Sequence, residues 1–229
     1  MHGKATRAAA VLLGLGALAY TAWVLEVLVR TGLDPVRTYV SELAAADQPL
    51  GGLFRATDLV AGLLVLAGAV TALAARRGTG LARERRWELA GWLALALFGA
   101  ATVADSRLPL SCTPTADPEC AARETAGLVP ATHTAHAVSS SLAMTGALVG
   151  MVALTVAARR YGHLPPLART GPALVALELA ATAWTLGAVA AFEAGRGTWS
   201  LGAGQRLQVL LVAVWLAVLA HATAREERR

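Results

Sequence analysis

Six stretches of the chain, roughly 8–29, 53–75, 87–104, 131–158, 172–192 and 202–221, are apolar over the length a helix needs to cross a bilayer. No other feature restricts the fold as strongly. Inside hydrocarbon every backbone N–H and C=O must find a partner within the protein, so each stretch is expected as a helix. The fold class that follows is all-α: a polytopic membrane protein, one six-helix transmembrane bundle spanning residues 1–229. A soluble chain of 229 residues, 56% of them hydrophobic and only 15% charged, has too little polar surface to cover such a core. Abundant Ala and Gly allow close helix contacts in lipid. The first stretch begins with Lys4 and Arg7 and contains Ala17-Leu18-Ala19, as a signal peptide would. Its apolar residues run on to Val29, past the length of a signal core, so a retained helix is expected.

Arginine and lysine set the orientation. Thirteen of the 20 lie in the N-terminus (Lys4, Arg7), in 76–86 (Arg76, Arg77, Arg83, Arg85, Arg86), in 159–171 (Arg159, Arg160, Arg169) and in the tail (Arg225, Arg228, Arg229). These regions are expected in the cytoplasm, with both termini inside and 30–52, 105–130 and 193–201 outside. The isoelectric point near 10 then reflects topology, and nucleic acid is not an expected partner. The excess of Ala, Arg and Gly suits a GC-rich bacterium, so its cytoplasmic membrane is the expected location. Trp87, Tyr161, Tyr39 and Trp199 fall at helix ends as an interfacial belt, whereas Trp92, Trp184 and Trp215 lie deeper and read as packing residues.

Cys112 and Cys120 close the short segment "CTPTADPEC" in the second outer connection. In an oxidising space such a pair is expected to form a disulfide. A metal pair and two free thiols are the alternatives, although the spacing matches no common zinc knuckle.

Polar residues gather at the outer level. Glu26, Asp58, Asp105, His133 with His136, Glu193, and Gln205 with Arg206 come one set from each of the six segments. Polar groups at membrane depth are costly and mark sites. In the first outer connection Asp34-Pro35 reads as a helix start and Val36, Tyr39, Val40 and Leu43 recur at helical spacing, predicting an interfacial helix over 35–46 that presents Ser41 and Glu42 to the mouth or to water. His133 and His136 share a helix face, with Ser140 one turn further in. With Asp105 they are the candidate ligands of zinc or another divalent metal; otherwise they hydrogen-bond the preceding loop. Structural roles stand beside each functional one. Asp58 pairs with Arg206, Glu26 with Arg30, the serines at 139–141 bond back to their own helix, and Glu178 snorkels or is protonated. No Walker A, dinucleotide-binding or Gly-x-Ser-x-Gly pattern occurs, no histidines are placed for a b-type haem, and no inverted repeat points to a transporter.

The stretches "YVSELAAADQPLGGLFRATDLVAGLL", "ADSRLP" and "GAGQRLQVLLVAVWL", with the histidine opening the fourth helix, resemble the bacterial domain-of-unknown-function family 998, six-helix inner-membrane proteins. Ser41, Glu42, Asp58, Gly62, Asp105, Pro109, His136 and Arg206 carry the resemblance, which implies fold and topology but no activity. A fainter similarity is to the CREST membrane hydrolases, which include alkaline ceramidases and use a Ser, an Asp and three His around zinc. Ser41, Asp105, His133 and His136 imitate part of that set; a third outer histidine is missing and Ser41 lies outside a main span.

The expected function is a binding or accessory protein that receives a lipid-like or small polar ligand at an outer mouth formed by Ser41, Glu42, Asp58, Asp105, His133, His136 and Arg206. Membrane lipids, and a membrane protein that it assists, are the partners this role implies. The alternative is a metal-dependent intramembrane hydrolase acting on a lipid.

Overall fold

The computed structural model describes residues 2–76 and 86–226. Arg77, Arg83, Arg85, Arg228 and Arg229, on which part of the orientation argument rests, lie outside them. Helices α1 (His2–Tyr20), α2 (Gly51–Arg76), α3 (Arg86–Asp105), α4 (Pro118–Thr125), α5 (Ala131–Tyr161), α6 (Pro165–Glu193) and α7 (Leu201–Glu226) follow in order, with no strand among the described residues. All but the eight-residue α4 coincide with the predicted spans, and six helices are long and apolar enough to cross a membrane. Their outward faces are apolar, with Leu18, Val138 and Leu186 each 60% exposed or more. Lipid is the solvent that such a surface matches, and the chain is a multi-pass membrane protein.

Each long helix packs against the next along the chain, α3 against α5 across the short α4, and α7 returns to α1. The six thus form a closed ring. Its middle is filled by buried Leu13, Val65, Leu95, Phe98, Met151 and Trp215. Trp92 joins this core, as expected, but Trp184 does not: it is 42% exposed and its indole N–H donates to Trp199 O at 3.1 Å.

Local chemistry sets the helix ends. Pro165 and Pro166 start α6, where the missing N–H costs nothing. Gly162 ends α5 at φ +69°, the left-handed conformation that glycine adopts without strain. Asp117 caps α4 by accepting from Glu119 N at 2.9 Å, and Pro118 follows it.

Two expectations about the ends fail. The first helix stops at Tyr20, short of Val29, and Ala22–Val27 continue as a 3-10 turn. Thr21 Oγ1 bonds back to Leu18 O at 2.7 Å, and the tighter winding directs Glu26 to Arg206. The segment 35–46 is not an interfacial helix. Asp34 does cap one turn, accepting from Val36 N at 2.9 Å, but Tyr39 is extended (φ −55°, ψ 145°) and only Val40–Ala44 winds again, as a 3-10 turn. Residues 38–46 lie across the end of the ring as a strap, with Glu42, Leu43 and Ala44 buried.

Candidate functional site

Four tethers hold the strap. Arg206 of α7, 7% exposed, binds both carboxylate oxygens of Glu26 at 2.6 Å and donates to Thr38 O at 2.8 Å and Gly202 O at 3.2 Å. Gln205 Oε1 accepts from Val40 N at 2.6 Å. Arg55 of α2 donates to Ala44 O at 2.6 Å and Ala45 O at 3.2 Å. Glu42, fully buried, accepts from Thr115 N at 2.7 Å and from Thr115 Oγ1. Thr115 sits in the loop closed by the Cys112–Cys120 disulfide, which the structure contains. Closing so short a loop contributes about 2–3 kcal/mol in the chain-entropy view.

Burial pushes the Glu42 carboxyl up to about 7, against the opposing pull of the Thr115 donors. The folded protein therefore holds this proton more tightly than the unfolded chain, whose Glu titrates near 4.5. The stabilisation is complete below pH 4.5 and is lost as pH rises through 7. Thermal denaturation of the wild type between pH 4.5 and 8 should show this decline, and Glu42→Gln should remove it. A variant whose pH profile parallels the wild type would show that Glu42 does not titrate in this range.

Beneath the strap lies a recess of about 100 Å³. Its walls come from α1 (Tyr20), the following 3-10 turn (Trp23), the strap (Val40, Ser41, Leu43, Ala44), α2 (Phe54, Asp58), α3 (Thr102, Asp105), α5 (Ser140, Met144) and α7 (Gln205). Five of the six ring helices meet there; α6 contributes nothing.

Asp105, the last residue of α3, is built into this wall. Its Oδ1 accepts from Ser139 Oγ and from Ser140 Oγ at 2.9 Å, and stands 3.2 Å from His136 Nδ1. His136 Nδ1 also lies 2.9 Å from Leu108 O, which can only accept, so this nitrogen carries a proton. His136 Nε2 is 3.2 Å from Ser140 Oγ. Ser140 has one hydroxyl hydrogen. Its contacts to Asp105 and His136 are both hydrogen bonds whether Nε2 donates to it or Asp105 does, and in either arrangement Asp105 and His136 together are net neutral. His133 turns elsewhere: Nδ1 faces Ser111 N at 3.1 Å and Ser111 Oγ at 2.9 Å, and Nε2 stands 3.3 Å from Glu124.

Both imidazoles, 2% and 6% exposed, are thus at this end of the ring and face protein. Asp105, His133 and His136 do not converge, however. Among the described residues no group of three or more His, Cys, Asp or Glu is arranged to hold a metal ion; His136 is taken up by Leu108, Asp105 and Ser140, and His133 Nδ1 by Ser111, while buried His133 Nε2 faces Glu124 without a hydrogen bond. The pairings expected from sequence also differ. Asp58 does not meet Arg206, because α2 and α7 share no contact in the ring; Glu26 takes Arg206 because α1 and α7 are neighbours. Glu26 does not meet Arg30, since 3-10 winding breaks the i, i+4 register. Of the serines, Ser141 bonds only back to its helix, at Ala137 O (2.7 Å), Ser139 does so while also serving Asp105, and Ser140 turns to Asp105 and His136. Glu178 does not snorkel: it is fully buried against Thr182 and α7.

Ser41, Asp58 and Asp105 line the recess. Glu42, His136 and Arg206 support its walls, and His133 buttresses the loop behind. Tyr20, Trp23, Phe54 and Met144 were missed, since apolar residues in an apolar segment carry no mark of which face they take.

The family described as "Protein of unknown function (DUF998)" matches residues 13–222. No curated protein and no solved structure matches the chain.

Proposed function

The chain belongs to the DUF998 family, and we propose that it is a binding protein of the bacterial cytoplasmic membrane whose recess opens to the outside and receives a small polar ligand or the polar end of a lipid. One observation carries the reading: five ring helices and a four-times-tethered strap converge on one recess that mixes carboxylates and hydroxyls with aromatic walls. Convergent polar groups in a largely apolar concavity are the usual mark of a ligand site. Below it Leu95, Phe98 and Met151 fill the ring, which favours binding over passage through the bundle. The arginine asymmetry favours an outward mouth, and both termini are then cytoplasmic. The committed histidines favour binding over zinc hydrolysis.

Ligand-dependent thermal denaturation tests the proposal. A panel of small amines, alcohols, acids and phospholipid headgroups is titrated against the purified protein. A ligand at a hundred times its Kd should stabilise by about 2.7 kcal/mol, and Met144→Trp, which fills the recess, should abolish the shift. A panel in which no class shifts the wild type, or in which shifts survive in the filled variant, would refute it.

A further inference from the structure

We infer that the recess takes a small primary ammonium group carried beside an oxygen atom, the chemistry of 2-aminoethanol, either free or as the headgroup of a phospholipid. The inference rests on the binding role proposed above and adds the ligand's charge and shape.

Charge comes first. Asp58 lies seven residues into α2 from Gly51, about 10 Å along the helix axis, and lines the recess. Among the described residues no group hydrogen-bonds or ion-pairs with its carboxylate. The guanidiniums near this end are engaged elsewhere: Arg55, one turn above on the same helix, binds the carbonyls of Ala44 and Ala45, and Arg206 binds Glu26 and Thr38. The Asp105–His136 pair is neutral as a unit, and the three contacts to Asp105 all fall on Oδ1. Asp58 is therefore a carboxylate without a cation, inside a ring of apolar helices, where acidic groups ordinarily pair. An ammonium in the recess supplies that cation and offers its remaining N–H groups to Asp105 Oδ2 and Ser41.

A second, separate observation concerns a donor. The indole N–H of Trp23, whose side chain packs beside Leu43 and Ala44 of the strap and Phe54 of α2, is fully buried and has no partner. Buried donors ordinarily have one. A small turn of the indole would present this N–H to an oxygen next to the ammonium, while Leu43, Phe54 and Met144 contact the ligand's carbons. The volume, about 100 Å³, is below the ~150 Å³ of an apolar cavity that admits benzene, so only a group of a few heavy atoms enters. Among the described residues the lining offers a divalent metal no third carboxylate or imidazole and an anion no cationic side chain.

The test is calorimetry on the full-length protein in detergent with 2-aminoethanol, ethylamine, choline, ethylene glycol and acetate as probes. 2-Aminoethanol should bind saturably, and ethylene glycol, acetate and choline, which lacks N–H groups, at least tenfold more weakly. Asp58→Asn should weaken 2-aminoethanol at least tenfold. Trp23→Phe should weaken 2-aminoethanol severalfold and leave ethylamine unchanged, which mere loss of packing would not do. Repeating the titration in nanodiscs separates the sources: phosphatidylethanolamine bilayers suppress it relative to phosphatidylcholine if the headgroup occupies the site, and both behave alike if the ligand is free. Ethylene glycol or acetate binding as tightly as 2-aminoethanol would overturn the ammonium class and leave the binding role standing. No binding by any probe, in detergent or in either nanodisc, with no lipid retained by the purified protein, would overturn both. Should Asp58→Asn fail to fold, the probe series on the wild type decides alone.

Discussion

Arg206→Met is expected to lose about 3–5 kcal/mol of stability, the cost of removing one partner from a buried ion pair. The guanidinium satisfies four oxygens at once: two of Glu26, one of Thr38 and one of Gly202. Without it Glu26, whose side chain is 6% exposed, is a buried carboxylate with no counter-charge, and the strap loses its tether to α7. The loss should be much smaller in the double variant Glu26→Gln/Arg206→Met, which removes both charges together. Arg206→Lys should not rescue, because a single ammonium cannot reproduce a two-pronged contact with Glu26 while also reaching Thr38 O. Reversible unfolding of the three variants in mixed micelles measures these differences. Equal losses in the single and double variants would show that packing, and not charge, is what Arg206 supplies.

The other large effect is expected from Gly99→Leu. Gly62 of α2 and Gly99 of α3 face each other where these helices come closest. A methyl group at Gly99 would stand 2.5 Å from Leu66 N and 2.9 Å from Gly62 O, and one at Gly62 would stand 2.8 Å from Val103 N. These neighbours are backbone atoms, which cannot turn aside as a side chain can. Relief requires the helices to separate along the very contact that aligns Asp58 with Thr102 and Asp105. Overpacking of this kind costs about 1–3 kcal/mol and occasionally more, and leucine at a backbone-to-backbone crossing belongs at the upper end. Gly187 of α6, with open space where a Cβ would go, is the control, and Gly187→Leu should be nearly neutral. Unfolding midpoints of the two variants report the contrast; a Gly187→Leu loss as large as that of Gly99→Leu would remove the close-crossing explanation.

The long helices were legible because lipid leaves one solution to a run of twenty apolar residues, and their ends fell within a few residues of the predicted bounds apart from both ends of α1, the start of α6 and the end of α7. What the sequence hid is partner choice. Asp58, Glu26, Arg30 and Arg206 all lie near one level, and every pairing among them is chemically sound. Which one forms depends on the order of helices around the ring, and α7 lies against α1 and not against α2. Six residues in 3-10 winding, Ala22–Val27, were enough to move Glu26 off the i, i+4 face. The strap was misread for a related reason. Val36, Tyr39, Val40 and Leu43 have helical spacing, but Thr38 O and Val40 N are bonded by Arg206 and Gln205, distant in sequence. His133 and His136 share a face as their spacing requires, yet one turns to Ser111 and Glu124 and the other to Leu108 and Asp105, because the loops that meet that face differ along its length.

The central claim, an outward-opening recess that holds a ligand beneath the strap, is tested most directly by labelling Ser41→Cys. Both native cysteines are in the disulfide, so the new thiol is the single one in the chain. Ser41 lines the recess. In intact cells a small membrane-impermeant thiol reagent should label it from outside, and 2-aminoethanol should slow the reaction in a saturable manner. Labelling confined to inverted membrane vesicles, or a rate untouched by every probe in the panel, would contradict the claim.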